Sequence, residues 1–267
     1  MNPLSLLETL QPINWPTFAL VSTRVVGLMV VAPLWSMTTI PARLRGAMAI
    51  VVTLTLLPMS QRASIPADTA GMVVPMVTEF VLGVAIGLTA AMFLHGVAVA
   101  AEVVSLQMGL SLGVALGGMA DVGTPGIGQL EGQFTLAVYV AVGGHLALLN
   151  ALAGSLQAIP PGAPINLAEG GRALVAMAGG VFTVAVQVAA PMMVALLVTN
   201  LALAVLNRAV PQLNTMMVAV PVTVAVGFIA LGASLPYAAS LLGGWAGSVG
   251  RNADQMVQAF TPVLARP

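Results

Sequence analysis

The chain has 267 residues, a formal net charge of zero, 59% hydrophobic residues and 6% charged residues. Soluble domains carry about 25% charged residues, so this composition predicts an integral membrane protein or a buried subunit of a membrane complex. The chain has no cysteine, which excludes disulfides and thiolate metal sites, and its eight basic residues are scattered arginines, which argues against nucleic acid as a partner.

The apolar residues fall into long segments. A membrane-spanning helix needs about 20 apolar residues, so the sequence predicts an all-α membrane protein of about six long, bent hydrophobic helices in hairpins. In chain order the segments cover residues 15–34, 46–61, 73–101, 134–156, 173–206 and 215–237. The fifth segment is so long that it must bend, tilt or protrude, with Gly179, Gly180 and Pro191 as candidate bend points.

Two charged residues interrupt these segments. Arg24 lies within the first segment and Glu79 within the third. A charged side chain facing lipid at the bilayer centre costs about 2.5–3.5 kcal/mol, so we expect both side chains to face protein or water. We also expect them to lack partners in the isolated chain, which would make that chain unstable in detergent.

Glycines recur at four-residue spacing. Gly83 and Gly87 form one such set, and Gly109, Gly113 and Gly117 form another. This spacing puts small residues on one helix face and allows neighbouring backbones to approach closely. Ordinary packing between transmembrane helices and dense packing against partner subunits would both use it.

Two breaks interrupt the apolar pattern. Residues 157–172, which include Pro160 and Pro161, form a loop that divides the chain into a larger N-terminal and a smaller C-terminal part. Residues 117–129 are rich in glycine and contain Pro125. Irregular backbone at membrane depth is tolerated only inside protein or beside an aqueous cavity. A pore-lining or pore-blocking loop is therefore one interpretation of this segment, and an external connection is the other.

Several residues could suggest catalysis or proton transfer. The pattern Gly-x-Ser-x-Gly at residues 109–113, followed by His145, suggests an intramembrane serine protease in which Ser111 and His145 would be the catalytic residues. The elbow form of that motif requires a preceding strand, whereas the preceding run here is typical of a long apolar helix. His95 and Glu102 share a helical face and could relay protons, but two ligands do not make a metal site. No cofactor-binding motif is present.

Arg208 lies alone between two charge-free stretches, residues 173–207 and 209–250. The polar run 211–214 follows it directly. This pattern predicts that Arg208 lies in a polar loop between two membrane spans.

The run from Pro191 to Pro221 resembles the C-terminal signature of the FliR family of flagellar export gate subunits and its injectisome counterparts, the SctT proteins. The glycine-heavy segment 116–128 departs from this family, which usually has fewer glycines there. Other matching features occur in the family's order: Arg24, Pro33, residues 40–43, Glu79, Gly83, Gly87, Ala101, Glu102, residues 107–111, Asp121, Gly144, His145, Ser155, Ile159 and Pro160.

The resemblance implies a non-enzymatic role without a cofactor. A FliR-like chain joins FliP-like and FliQ-like subunits in a pore-forming gate in the bacterial inner membrane, within the flagellar basal body. An FlhB-like subunit associates with the gate, and unfolded export substrates pass through it. Residues 1–165 would form a FliP-like part, and residues 166–267 a FliQ-like C-terminal helical hairpin and tail.

The resemblance also implies roles for individual residues. The segment of about residues 110–129 would be the plug of the closed pore, with Gly117, Gly118, Met119, Asp121, Gly123, Pro125, Gly126 and Gly128 as its candidate residues. The candidate subunit-contact or structural polar residues are Arg24, Glu79, Glu102, Asn200, Asn207, Arg208, Pro211, Gln212 and Asn214. The non-enzymatic alternative is a multi-pass small-solute transporter whose route is lined by Arg24, Glu79, His95 and Glu102.

Overall fold

The computed structural model describes residues 14–37, 40–61, 63, 70–109, 127–210 and 215–262. Within these ranges the chain forms α-helices and two short 3-10 turns, and no strand. The all-α prediction is confirmed. The helices are α1 (Trp15–Val31), α2 (Ala42–Leu56), α3 (Val73–Gln107), α4 (Ile127–Ala141), α5 (Gly144–Ala158), α6 (Leu167–Ala209) and α7 (Thr215–Phe260).

Fewer helices qualify as membrane spans than the sequence predicts. Among the described residues, four segments are long and apolar enough: Ala42–Met59, Val73–Gln107, Leu167–Ala209 and Met217–Leu241. The pair α4 and α5 provides a fifth if it is counted as one bent span. The first predicted segment is the 17-residue helix α1, which is too short to meet the same criterion.

The fourth and sixth predicted segments differ from the structure in their limits. Residues 134–156 are not one helix, because Gly143 adopts a left-handed conformation (φ 79°) between α4 and α5. The sixth segment does not end at residue 237, because α7 continues to Phe260 and has 46 residues. Beyond residue 237 the helix has an amphipathic pattern, in which the buried residues Val249, Ala253, Met256 and Phe260 recur at intervals of three or four residues.

The chain forms two compact units, each assembled from separate stretches of sequence. Unit 1 comprises Met1–Met92, Gly143–Ala178 and Ala246–Pro267, and unit 2 comprises Phe93–Val142 and Gly179–Trp245. Three of the four limits between the units fall inside α3, α6 and α7, and the fourth lies between α4 and α5. The limit in α6 directly precedes the candidate bend point Gly179. Helix α6 is nevertheless assigned without interruption through Gly179, Gly180 and Pro191.

Unit 1 has an apolar interior drawn from four helices. Between helices of a membrane protein, close packing of such side chains contributes van der Waals contacts. Where α6 begins, the Asn166 side-chain oxygen accepts a hydrogen bond from the Glu169 backbone N–H (3.1 Å), and the Asn166 N–H donates to the carbonyl of Phe260 (2.8 Å). Fully buried apolar residues include Leu20, Val25 and Leu28 of α1, Leu82 and Ile86 of α3, Leu148 and Leu152 of α5, and Val249 and Phe260 of α7.

Unit 2 has its own apolar core, formed mainly between the C-terminal half of α3 and the middle of α6. Gly96 of α3 makes this approach possible, because an added Cβ would lie 2.9 Å from the Val181 carbonyl oxygen. Partly buried residues of α4 and α7, including Phe134, Val138, Val224 and Leu231, complete the packing. The core residues are Phe93, Val97, Ala100, Val104, Met108, Ala185, Val188, Ala189, Met192 and Leu196.

Candidate functional site

The most distinctive polar site in the described residues is a buried ion pair in unit 1. The Arg24 Nε of α1 donates to the Glu79 Oε2 of α3. The side chains are 0% and 1% exposed, respectively. At this depth an unpaired charge would be costly, so the two groups compensate each other.

Further hydrogen bonds use the remaining polar atoms of this pair. The Arg24 Nη1 donates to the Ser155 hydroxyl of α5 (3.1 Å), and Nη2 donates to the Ile159 carbonyl oxygen (3.0 Å). The Glu79 Oε1 accepts from the Gly162 backbone N–H (2.9 Å). We call Arg24, Glu79 and Ser155, together with the Ile159 carbonyl and the Gly162 N–H, the polar cluster; it ties α1, α3 and α5 to the loop after α5.

A tight turn brings the Gly162 N–H to the carboxylate. The Ala163 N–H donates to the Pro160 carbonyl oxygen (3.0 Å), and Gly162 at the third position of this turn has φ 82°. Proline at the second position and a left-handed glycine at the third are the features of a type II turn. The Pro-Pro-Gly sequence recognised as a loop therefore also supplies a donor to the polar cluster.

Close backbone contact between α1 and α3 places the charged side chains side by side. A Cβ at Gly83 would overlap the Arg24 carbonyl oxygen, and one at Gly27 would overlap the Phe80 carbonyl oxygen. A Cβ at Gly87 would come within 2.8 Å of the Leu28 carbonyl oxygen. The predicted close approach at Gly83 and Gly87 is confirmed, and the neighbour at both positions is α1 of the same chain.

The chemistry of the polar cluster is structural. Its charges cancel, each charged side chain is hydrogen-bonded, and it has almost no contact with solvent. Such a group fixes the register of the helices that contribute to it. Arg24 and Glu79 are buried and paired, so these two of the four residues assigned to the transporter route do not line such a route in this structure.

The structure corrects one expectation about these two residues. The sequence led us to expect that Arg24 and Glu79 lack partners in the isolated chain, and this is wrong because each is the other's partner. Their separation by 55 residues explains why the pairing could not be identified from the sequence. Their assignment as subunit-contact or structural polar residues stays a prediction.

The other candidate contact residues lie on helix surfaces. Glu102 of α3 and Asn200, Asn207 and Arg208 of α6 are all exposed. Arg208 lies in the last turn of α6, where a positive charge compensates the negative end of the helix dipole. Their role as subunit contacts stays a prediction.

Most of the predicted plug and part of the predicted polar loop lie outside the described residues. This applies to residues 110–126 and 211–214, and therefore to Gly117, Gly118, Met119, Asp121, Gly123, Pro125 and Gly126, to Ser111, and to Pro211, Gln212 and Asn214. Gly128 is described, and it lies in the first turn of α4 instead of in a loop. His145 lies in the first turn of α5.

The segment that precedes the predicted plug is held by α7. Met108 is fully buried, and its carbonyl oxygen accepts a hydrogen bond from the Thr223 hydroxyl (3.2 Å). Gly227 allows the Met108 side chain to lie against α7, since a Cβ there would overlap it. Gly109 follows the end of α3 at Gln107 and has φ 77°, so it is not on the helical glycine face that its spacing had suggested.

Sequence reasoning did not assign Ser155, Gly162 or Thr223 to any site. Ser155 and Gly162 are ordinary residues of a helix end and a turn, and nothing local marks them as partners of a distant ion pair. Thr223 offers a weak signal, because it is a polar residue in an apolar segment. Nevertheless, its hydroxyl can also reach carbonyl oxygens of its own helix, at 3.0 Å and 3.1 Å.

The fold and the buried polar cluster define an all-α membrane protein with internally paired charges. A family model described as bacterial export proteins, family 1, matches residues 15–247. The chain therefore belongs to this family, which is the FliR/SctT family of export proteins.

Named relatives agree with this assignment. The flagellar biosynthetic protein FliR of Escherichia coli (strain K12) is 28% identical over 223 residues, which cover 83% of this chain and 83% of that protein. FliR of Bacillus subtilis (strain 168) is 28% identical over 221 residues, covering 81% of this chain and 85% of that protein. FliR of Caulobacter vibrioides is 27% identical over 219 residues, with coverages of 81% and 87%. The family and these relatives identify a membrane component of the flagellar export apparatus.

Proposed function

We propose that the chain is a non-enzymatic subunit of the flagellar type III protein export gate in the bacterial inner membrane. In this proposal it forms, with FliP-like and FliQ-like subunits and an associated FlhB-like subunit, the pore through which unfolded flagellar proteins leave the cell. Membership of the export family supports the assignment to the apparatus. The case for burial within a complex depends on helix α6.

Helix α6 is apolar on its surface over more length than a bilayer can cover. Val175 near its start is 76% exposed and Val205 near its end is 69% exposed. At 1.5 Å per residue these positions are about 45 Å apart along the helix, whereas the hydrocarbon core is about 30 Å thick. A straight helix of this length would fit within that core only at a tilt of about 48°, outside the usual 0–40° range.

We infer that other protein covers part of this surface. Between Val175 and Val205, large exposed apolar residues such as Phe182, Val194 and Leu201 continue the pattern. Exposed apolar patches of this extent are typical of interaction surfaces. A subunit that contributes long helices to a multi-subunit pore would have this property, and this is the observation that carries the proposal.

The division into two parts and the plug remain parts of the proposal. Two long helices, α6 and α7, make up most of the chain after residue 165, which supports the assignment of a FliQ-like C-terminal part. The plug would lie between the end of α3 at Gln107 and the start of α4 at Ile127. Glycine-rich sequence suits a plug because it permits alternative backbone conformations.

Purification under native conditions tests the proposal. An affinity-tagged chain is extracted from its own membranes in mild detergent, and the co-purifying chains are identified and counted by mass spectrometry. We expect FliP-like and FliQ-like chains in fixed ratio with the tagged chain. A stable, monodisperse monomer without these companions would contradict the proposal.

A further inference from the structure

An open groove of about 560 Å³ lies in unit 1 between the first half of α1 and the beginning of α3. Six residues of α1, the first of them Trp15 and the last Thr23, line it together with Met72 and Met76. The ring of Trp15 meets the ring of Phe18 edge to face, with centroids 6.0 Å apart. Trp15 is nevertheless 71% exposed, so the groove leaves a large aromatic surface uncovered among the described residues.

The two hydroxyl groups that line the groove are already used within α1. The Ser22 hydroxyl donates to the Phe18 carbonyl oxygen (2.7 Å). The Thr23 hydroxyl donates to the Ala19 carbonyl oxygen (2.8 Å). Apart from the indole N–H of Trp15, the other lining side chains are apolar, and methionine side chains adapt to apolar groups of different shape. The chemistry of the groove therefore selects an apolar occupant.

The chain enters α1 directly beside this groove. Asn14 is the N-cap of α1 and has extended backbone (φ −68°, ψ 95°), so the helix begins there. An apolar residue just before an N-cap often packs against the fourth residue of the helix, an arrangement called a hydrophobic staple. Here these two residues are Ile13 and Phe18, and Phe18 lines the groove. A staple at this position directs the residues before Asn14 towards the groove.

Residues 1–13, which we call the N-terminal segment, lie outside the described residues, but their sequence suits the groove. At helical spacing, Leu6, Leu7 and Leu10 share one side and Glu8 lies on the other. The groove follows α1 from residue 15 to residue 23, a distance of about 12 Å, which about eight helical or four extended residues span. The N-terminal segment is therefore long enough in either conformation. Its apolar residues are Leu4, Leu6, Leu7, Leu10 and Ile13.

We propose that the N-terminal segment folds back over unit 1 and fills this groove, with its leucine side chains against Phe18 and Met76. In this arrangement it joins the beginnings of α1 and α3, the two helices whose backbones approach closely at Gly27 and Gly83. A phospholipid acyl chain and a helix of another chain are the competing occupants. The inference concerns contacts within one chain, so it does not depend on the proposed function.

Photo-crosslinking from within the groove identifies its occupant. A benzoylphenylalanine that replaces Met76 should form adducts with the N-terminal segment of the same chain, both in native membranes and in detergent, as mapped by mass spectrometry. Val74 is the matched position, because it is 70% exposed on α3 but does not line the groove, and it should give no such adducts. Adducts from position 76 with phospholipid alone, or with another chain alone, would overturn the inference and assign the groove to that occupant.

Substitutions in the N-terminal segment test which side chains hold it. Replacing Leu6, Leu7 and Leu10 together by serine should reduce the adducts from position 76 several-fold, because the apolar contacts are lost. Glu8→Ser lies on the opposite side of the same helical pattern and should leave the adducts unchanged. An undiminished adduct yield in the triple variant, or an equal loss in Glu8→Ser, would overturn the inference.

Discussion

The guanidinium of Arg24 and the carboxylate of Glu79 form an ion pair inside unit 1, where both side chains are almost completely withdrawn from solvent. Burying two charges offers little net stability, but removing one partner leaves the other uncompensated. The pair therefore acts mainly on specificity, because a register of α1 and α3 that separated the two charges would leave both of them uncompensated.

Removing one member of the pair should destabilise the protein strongly. For Arg24→Ala and Glu79→Ala we expect losses of about 3–5 kcal/mol in the free energy of unfolding, the usual range for an orphaned buried charge. Arg24→Met combined with Glu79→Leu should recover much of the loss, because no buried charge remains. Thermal unfolding in detergent, together with the amount of chain accumulating in membranes, measures the effect.

The exposed pair between Arg172 and Glu169 provides the matched control. Its atoms are 3.4 Å apart and the Arg172 side chain is 75% exposed. Surface ion pairs contribute about 0–1 kcal/mol, so Arg172→Ala should change the unfolding temperature little. Equal effects of Arg24→Ala and Arg172→Ala would show that the buried pair has no special role.

Gly83→Ala tests the close approach of α1 and α3. The new Cβ would overlap the Arg24 carbonyl oxygen, a backbone atom that can move only if α1 moves. Overpacking of this kind costs about 1–3 kcal/mol, so the unfolding temperature should fall. Gly154→Ala is the control, since its Cβ would meet nothing within 4 Å and alanine favours the helix. A Gly83→Ala protein as stable as Gly154→Ala would contradict the close contact.

The sequence predicted the need for these contacts but not their partners. Arg24 and Glu79 interrupt apolar segments, so both had to be satisfied by protein or water, and the spacing of Gly83 and Gly87 required a close neighbour. The identity of each partner depends on how distant helices pack, which local patterns do not encode. For this reason Ser155 and the Gly162 N–H became part of the polar cluster only in the folded chain.

The predicted end of the last helix was wrong because the pattern of apolar residues changes there. Beyond Tyr237 the sequence contains Gly243, Gly244 and Arg251, which lower the hydropathy and suggest the end of a span. Helix α7 continues because Val249, Ala253 and Phe260 recur on one face and are buried. In this part of α7 the apolar residues therefore recur with a helical period, whereas before it they form a nearly continuous apolar run. A search for membrane spans alone does not detect such a pattern.

Deleting residues 117–126 tests the plug. This deletion spares Met108 and Gly109, which follow α3, and Ile127 and Gly128, which begin α4. If the segment blocks the closed pore, assembly should be retained while leakage of ions or small solutes across the membrane rises. Conductance of membranes containing the complex measures this. Unchanged conductance with normal assembly would remove the plug assignment and favour an external connection. A deletion of equal length cannot be made in α4 without losing a helix, so wild-type complex of matched abundance is the control.

Arg208→Ala separates two roles for the lone charge at the end of α6. If Arg208 only compensates the helix dipole, its loss costs about 0.3–1 kcal/mol, and co-purification of partner chains should fall by less than about fivefold. If it pairs with a carboxylate or with helix-end carbonyls buried at a subunit contact, the loss is about 2–5 kcal/mol and partner chains should be largely absent. We expect the larger effect, partial recovery in Arg208→Lys and no loss in Arg172→Ala at the opposite end of the same helix. The yield of FliP-like and FliQ-like chains per tagged chain measures it, and full recovery of the complex with Arg208→Ala would exclude a role in assembly.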